Sequence, residues 1–288
     1  MSKKLVLLVA VLTIASLSFA QSRTQVPAGH QPSAFSSAVQ PAEGVASVAP
    51  ATLTCAASYS SGTGQNATTY CVTVNGNIPT LSRGGEEMIN QGVVDEGYGI
   101  CDTTGGVDKS YYDYGWTDSG NLLASSFNTP NPKTAVSTRI TNDGLFQITN
   151  TITQVPAKPT APGLVNIKMA IKNLTGITRG VYILRHVDID ANLSASNNDF
   201  DYTTNTVWGS YAPGVGYHGL EVVNTTYTGG FSHNAYSLNT YSGPFNVCNI
   251  FSVISTQPFH GDGSAASWYF VNIPHNATKI VTLTYQPI

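Results

Sequence analysis

The strongest constraint on this chain is an alternation of apolar and polar residues that repeats at every second position. The stretch LVNIKMAIKNL places Val165, Ile167, Met169 and Ile171 on one face of an extended strand. Successive side chains of a β-strand point to opposite faces, so the pattern predicts a strand with one buried face. The same period returns in GLFQITNTIT and TKIVTLTY, which are rich in strand-forming residues. We therefore expect an all-β chain that folds as one large antiparallel β-sandwich domain.

The first twenty residues have the pattern of a secretory signal peptide. Lys3 and Lys4 precede an apolar run over residues 5–17, and the SFA stretch at residues 18–20 is a small-x-small cleavage signal. The apolar run is too short to span a bilayer. We expect export to the extracellular space, the periplasm or the cell surface, and no membrane span.

Two further segments follow the signal peptide. Residues 21–50 are rich in Pro, Ala, Ser and Gly and show no periodicity, which predicts a disordered linker. Residues 51–288 carry the strand-like stretches, and we assign them to the β-sandwich domain.

The charge of the chain argues against a nucleic-acid partner. The formal net charge is -3, and 10% of the residues are charged, against about 25% in a typical globular protein. Beyond the signal peptide there is no cluster of Lys and Arg that could follow a phosphate backbone. The polar surface must therefore consist mostly of Ser, Thr, Asn, Gln and Tyr side chains.

The four cysteines predict two disulfides. Cys55 and Cys71 are placed symmetrically about Thr63 in a GTG turn, so they would face each other across a hairpin. Cys101 and Cys248 then form the second pair and close a long loop. A zinc site would need closely spaced pairs of cysteines, which the sequence does not contain.

The stretch KSYYDYGWTDSGN is the first candidate binding site. It gathers Tyr112, Tyr114 and Trp116 around Asp113. Exposed aromatic rings beside carboxylates suit sugar stacking, so an extracellular glycan is a candidate partner. Aromatic residues of a β protein also serve as core or cross-strand pairs, and that alternative stays open.

The stretch RHVDIDAN at residues 185–192 concentrates polar chemistry and allows three interpretations. Asp188, Asp190 and Asn192 occupy alternate positions as in the opening of a calcium loop, with Asp199 at the twelfth position. Leu193 stands where such a loop has its turn glycine, so an EF-hand is excluded while another calcium loop is not.

The other two interpretations of RHVDIDAN need no metal. His186 with an aspartate could act as acid or base, although no nucleophile motif accompanies them. Alternatively, Arg185 shares a face with the apolar residues of the strand, so it would be buried and paired with a carboxylate, an aspartate in the simplest case. In that interpretation the cluster is a structural polar node, and calcium is its only expected cofactor.

The sequence VNIKMAIKNLTGITRGVYILRHVDIDAN resembles a pattern in uncharacterised secreted bacterial all-β proteins. DEGYGICD and YYDYGW resemble the entry region of the same pattern. The resemblance implies a large sandwich of the galactose-mutarotase-like supersandwich type, and it implies no activity. The positions that carry it are Lys168, Asn173, Thr175, Gly176, Val181, Ile183, Arg185, Asp188 and Asp190.

Two functions from different classes follow from the sequence. The first is a secreted, non-catalytic extracellular or cell-surface protein with a glycan as candidate ligand, and no catalytic residue is assigned. The alternative is a carbohydrate-active enzyme of the mutarotase or lyase type, because the expected fold allows it without implying it. A pocket that joins a histidine, a carboxylate and an aromatic ring would favour the enzyme. The ligand and the oligomeric state stay open at this stage.

Overall fold

The structure is a computed structural model that describes residues 54–90, 96–116, 120–194, 196–203, 205–211, 218–226, 232–239, 247–252 and 258–288. These residues all fall in one compact unit. The predicted signal peptide and linker lie outside them. Within these ranges the regular structure consists of antiparallel strands and three short 3-10 helices, at Gly64–Asn66, Ala191–Leu193 and Val247–Ser252. Among the described residues no helix is long and apolar enough to cross a membrane.

The largest sheet has nine strands in the order β16-β12-β13-β14-β18-β10-β9-β8-β7. Its central strands β9, β10 and β18 are the three alternating stretches of the sequence, because a sheet with one buried face selects that pattern. The strands are β7 (Ser126–Asn131), β8 (Thr134–Ile140), β9 (Phe146–Val155), β10 (Leu164–Asn173), β12 (Asn198–Tyr202), β13 (Thr206–Tyr211), β14 (His218–Asn224), β16 (Phe259–Gly261) and β18 (Thr278–Pro287).

The second sheet has five strands in the order β15-β17-β11-β5-β6. Strand β11, which contains the first half of the RHVDIDAN stretch, is its central strand and pairs with β17 and β5. The strands are β5 (Glu96–Asp102), β6 (Lys109–Tyr114), β11 (Arg179–Asp188), β15 (Ser232–Asn239) and β17 (Gly263–Ile273).

A smaller sheet of four strands accompanies these two, in the order β1-β2-β3-β4. One hydrophobic core joins all three sheets, with Tyr70 from the small sheet, Ile167 from the nine-stranded sheet and Ile183 from the five-stranded sheet in the same buried cluster. The predicted all-β antiparallel sandwich is therefore confirmed. The four strands are β1 (Ala57–Ser61), β2 (Thr68–Val72), β3 (Thr80–Arg83) and β4 (Glu86–Glu87).

Both predicted disulfides are present. Cys55 and Cys71 have Cα atoms 5.4 Å apart, and Cys101 and Cys248 have Cα atoms 5.0 Å apart. The Cys101–Cys248 disulfide attaches the Val247–Ser252 turn to the five-stranded sheet.

The hairpin register that suggested the first disulfide is wrong, although the pairing is right. Cys71 faces Ser58 across the β1–β2 hairpin, and Cys55 precedes β1. The reason is the 3-10 turn Gly64–Asn66, which moves the centre of the hairpin toward the C-terminus from Thr63. The disulfide therefore joins the start of the hairpin to β2 without joining facing strand residues.

Candidate functional site

Arg185 of β11 points between the two large sheets and is fully buried. Its Nε donates to the Oε1 of Glu96, and its Nη2 donates to the backbone oxygen of Gly76 at 3.1 Å. The ring of Tyr98 lies 5.5 Å from the guanidinium carbon. The predicted inward orientation is therefore correct, but the partner is a glutamate of β5 and not an aspartate of the same stretch.

Glu96 is held by several donors besides Arg185. The hydroxyl of Tyr285 donates to its Oε1 at 2.8 Å, and the backbone nitrogen of Ile78 donates to its Oε2 at 2.6 Å. Burial alone would lower the pKa of Arg185, but the charge of Glu96 and the interaction with Tyr285 raise it overall. The guanidinium is therefore charged, and its charge is compensated inside the core.

A second buried ion pair, which no sequence pattern indicated, joins the same two sheets. Arg139 of β8 pairs with Asp113 of β6, and both side chains are 0% exposed. The remaining donors of Arg139 reach the backbone oxygens of Leu122 and Leu123, both at 2.6 Å. The Nδ2 of Asn77 donates to the other oxygen of Asp113 at 2.5 Å. The burial of β8 alternates from Ala135 onward, but the inward residues are Ala135, Ser137 and Arg139, so this face has no apolar run that would have signalled a buried strand.

The segment from Asn75 to Ile78 connects the two ion pairs. Its members supply one hydrogen bond to Arg185, one to Asp113 and one to Glu96. Gly76 has a φ of +87°, and a Cβ there would lie 3.0 Å from the Cβ of Ser137. Only glycine combines this backbone conformation with such close packing. The polar groups of this region are therefore built into the sandwich as a structural network.

His186 faces away from Arg185 and is 0% exposed. Burial, and to a lesser degree the charge of Arg185, lowers the pKa of His186 to about 3. The imidazole is neutral at physiological pH and has no solvent-accessible surface for a substrate. The geometry contradicts the hypothesis that His186 acts as an acid or base.

The carboxylates at the end of β11 form a compact cluster. Asp188, Asp190 and Asp262 each bring one oxygen within 4.8 Å of those of the other two. Asp188 pairs with Ser264 of β17. The backbone nitrogen of the following residue, Ile189, donates to the backbone oxygen of Gly263 at 3.3 Å. Continuing this register beyond the strands puts position 190 beside Asp262. No sequence pattern indicated Asp262, which stands in a HGDG stretch far along the chain.

Asp190 has the least compensated charge of the cluster. It is 6% exposed, and within the described part of the chain its Oδ1 has no hydrogen-bond partner. Burial, and then the neighbouring charge of Asp262, raises the pKa of Asp190 to about 6. Asp188 is 8% exposed and accepts a hydrogen bond from the Oγ of Ser264 at 3.3 Å, whereas Asp262 is exposed to solvent.

The other two predicted calcium ligands are not part of this carboxylate cluster. Asp199 lies on β12, is exposed, and its Oδ1 is 2.8 Å from the Nδ1 of His260. Asn192 is exposed in the Ala191–Leu193 turn with a φ of 58°. Asp199 instead lies on β12, where it pairs with His260 of β16. That Asn192 and Asp199 bind calcium stays a prediction.

The predicted aromatic patch is only partly available to a ligand. The rings of Tyr112 and Tyr114 stack on each other with centroids 6.0 Å apart, and Tyr114 is 8% exposed. Trp116 is half-buried, and its Nε1 is buried without a described hydrogen-bond partner. Asp113 points to the opposite face, into the ion pair with Arg139. That these three aromatic residues bind a sugar stays a prediction.

A groove of about 390 Å³ opens on the outer face of the nine-stranded sheet. It runs across β9, β10 and β18, and the segment after β14 forms its side, where the Oγ1 of Thr226 donates to the backbone oxygen of Thr282 at 3.1 Å. We call it the hydroxyl groove. It is lined by Thr151, Thr153, Asn166, Ile167, Lys168, Thr225, Thr282, Leu283 and Thr284.

Comparison with known proteins gives structural similarity alone. No protein-family model and no curated protein sequence matches the chain. A bacterial glucoamylase complexed with acarbose is similar with a TM-score of 0.48 and 10% identity, over 77% of this chain and 30% of the glucoamylase. A heparan sulfate lyase from Pedobacter heparinus is similar with a TM-score of 0.42 and 13% identity, over 80% of this chain and 34% of the lyase.

A third similar structure is a putative aldose 1-epimerase from Escherichia coli K12. The TM-score is 0.40 and the identity 8%, over 81% of this chain and 99% of that protein. This chain spans about a third of the length of the glucoamylase and of the lyase. At these scores and identities the similarities carry no argument about activity or substrate.

Proposed function

We propose that this chain is a secreted, non-catalytic protein that binds an extracellular glycan in the hydroxyl groove. One observation carries the proposal: a groove of about 390 Å³ is lined by five threonines, one asparagine and one lysine on an otherwise regular sheet. The two disulfides fit an oxidising compartment outside the cytoplasm.

The chemistry of the lining suits a sugar chain. Threonine hydroxyls and the amide of Asn166 both donate and accept hydrogen bonds, as the hydroxyl groups of a sugar require. Thr284 already donates to the Oδ1 of Asn166 at 2.8 Å, which fixes the orientation of that amide. Lys168 is exposed and adds a positive charge that suits a carboxylate or sulfate group. We therefore expect acidic glycans to bind more tightly than neutral ones.

The composition of the groove favours binding over catalysis. A mutarotase- or lyase-type reaction requires an acid and a base positioned at the sugar. The described lining of the groove includes neither a histidine nor a carboxylate, and its one ionisable side chain is Lys168. We therefore expect the bound glycan to be recovered unchanged.

A glycan array with the mature protein, followed by calorimetry on the best ligand, tests the proposal. Lys168→Met should weaken binding of an acidic glycan about tenfold, the loss expected for one charge-assisted hydrogen bond. Lys172→Met is the matched control. Lys172 lies four residues after Lys168 on the same face of β10, and it does not line the hydroxyl groove.

Three outcomes would contradict the proposal. The array could give no ligand, the two lysine variants could bind alike, or incubation could convert the glycan into new products. A second pair of variants, Tyr112→Ala and Trp116→Ala, tests the aromatic patch. Loss of binding in these variants with full binding in Lys168→Met would move the site from the hydroxyl groove to the patch.

A further inference from the structure

We propose that Asp188, Asp190 and Asp262 form a calcium site at the end of β11, independent of the hydroxyl groove. The starting observation is the distance between their oxygens. Each residue offers one carboxylate oxygen, and all three lie within 4.8 Å of one another. Calcium–oxygen distances are about 2.3–2.6 Å, so two ligands of one ion can be at most about 4.6–5.2 Å apart. Three ligands spread evenly around one ion at this distance lie about 4.0–4.5 Å apart, so shifts of at most a few tenths of an ångström bring all three oxygens onto a single calcium ion.

The state of Asp190 is a second, independent indication of a ligand. Its Oδ1 is buried and has no hydrogen-bond partner among the described residues, and the side chain is more than nine-tenths buried. A buried carboxylate oxygen without a donor is costly, and native structures satisfy such atoms with a protein group, a water or an ion. The neighbouring carboxylate of Asp262 makes the local charge more negative, so a cation satisfies the oxygen better than a neutral donor does.

The rest of the structure holds the three carboxylates in position. Asp188 ends a central strand and accepts a hydrogen bond from Ser264. The backbone oxygen of Asp190 accepts from the nitrogen of Leu193 at 2.7 Å, which closes the turn that follows. Asp262 stands between β16 and β17 and is exposed, so an ion can enter and keep part of its water shell.

Calcium fits this site better than magnesium. Calcium accepts six to eight oxygen ligands in irregular arrangements, whereas magnesium requires near-octahedral geometry at about 2.0–2.1 Å and releases its water reluctantly. The carboxylate oxygens of the two buried aspartates and the exposed one are up to 4.8 Å apart, a separation that suits calcium better than the smaller magnesium ion. The occupied site would tie the β16–β17 turn to the end of β11.

Calorimetric titration with calcium chloride, together with thermal unfolding, tests the site on the chelator-treated protein. The parent should bind one calcium ion, and its melting temperature should rise by roughly 5–10 °C at one hundred times the dissociation constant. Asp262→Asn and Asp190→Asn should each weaken binding at least tenfold and remove the rise. Asp262 is exposed, so its variant should fold even if Asp190→Asn does not.

Asp199→Asn is the matched control, because Asp199 is an aspartate of the neighbouring strand β12 that pairs with His260 and lies outside the cluster. It should keep the binding and the temperature rise of the parent. The proposal is overturned if the parent shows no heat of binding, if magnesium raises the melting temperature as much as calcium does, or if Asp199→Asn loses the response while Asp262→Asn keeps it.

Discussion

Two buried polar residues five positions apart, Arg185 on β11 and Asp190 just beyond its end, behave in opposite ways. Arg185 is 0% exposed and has a carboxylate, a backbone oxygen and an aromatic ring as partners. Asp190, just beyond the strand, is 6% exposed, with one oxygen that lacks a described hydrogen-bond partner and a second carboxylate nearby. The first region compensates its charge within the fold, and the second does not.

This difference separates a structural polar group from a site that requires a ligand. The Arg185–Glu96 pair lies between two sheets, and the partners that hold it are groups of the protein itself. The carboxylate cluster lies where β11 ends, beside an exposed turn, where an ion or water can reach it. Burial is similar in the two regions, and each has one buried polar atom without a described hydrogen-bond partner, the Nη1 of Arg185 and the Oδ1 of Asp190. The distinguishing quantity is the charge of the neighbour, which is opposite beside Arg185 and alike beside Asp190.

The largest predicted effect is that of removing the compensated charge. Arg185→Ala leaves Glu96 buried and charged without its partner, and should lower the free energy of unfolding by about 3–5 kcal/mol in urea titrations. In a double-mutant cycle, Glu96→Gln should recover part of that loss, because it removes the unpaired charge. If Arg185→Ala unfolds at the same urea concentration as the parent, the Arg185–Glu96 pair does not stabilise the fold and Arg185 is not a structural node.

A smaller predicted effect concerns an aspartate with many donors. Burial alone would raise the pKa of Asp143, but hydrogen bonds from Tyr111, Thr141, the backbone of Leu145 and Lys109 lower it overall. A carboxylate with a lowered pKa stabilises the fold above its unfolded pKa of about 4, and this contribution is lost as the pH falls through the folded pKa.

Asp143→Asn should therefore lower the free energy of unfolding by about 0.5–1 kcal/mol at pH 7, since the side chain of Asp143 is partly exposed to solvent. The difference between variant and parent should shrink toward pH 3. Urea titrations at several pH values measure this. A difference that stays constant with pH would mean that the hydrogen-bond donors do not stabilise the charged carboxylate of Asp143. The opposite pKa shifts of Asp143 and Asp190 would then have a cause other than the number of donors.

The sequence predicted the local features of this fold well. Period-two alternation identified β9, β10 and β18, and the same period placed Arg185 inward, because both depend on neighbouring residues of one strand. The disulfide pairing followed from the short hairpin, although its register was off, since a 3-10 turn cannot be read from the alternation of the strands.

The partners across strands could not be predicted in the same way. Glu96 lies 89 residues before Arg185, and Ser264 lies 76 residues after Asp188. Which strands become neighbours is decided by the packing of the whole sandwich, and a single sequence does not reveal it. Spacing along the chain predicted Asn192 and Asp199 as further calcium ligands. Strand pairing, which the spacing does not reveal, places Asp262 beside Asp188 and Asp190.

The most direct test of the comparison is the free energy of unfolding of Asp190→Asn relative to the parent, measured by urea titration at neutral pH with chelator and then with saturating calcium. With chelator, the variant should equal or exceed the parent in stability, because it removes an uncompensated buried charge. At one hundred times the dissociation constant, calcium should make the parent more stable than the variant by up to about 3 kcal/mol, so the sign of the difference reverses. A difference of the same sign and size in both solutions would contradict the account.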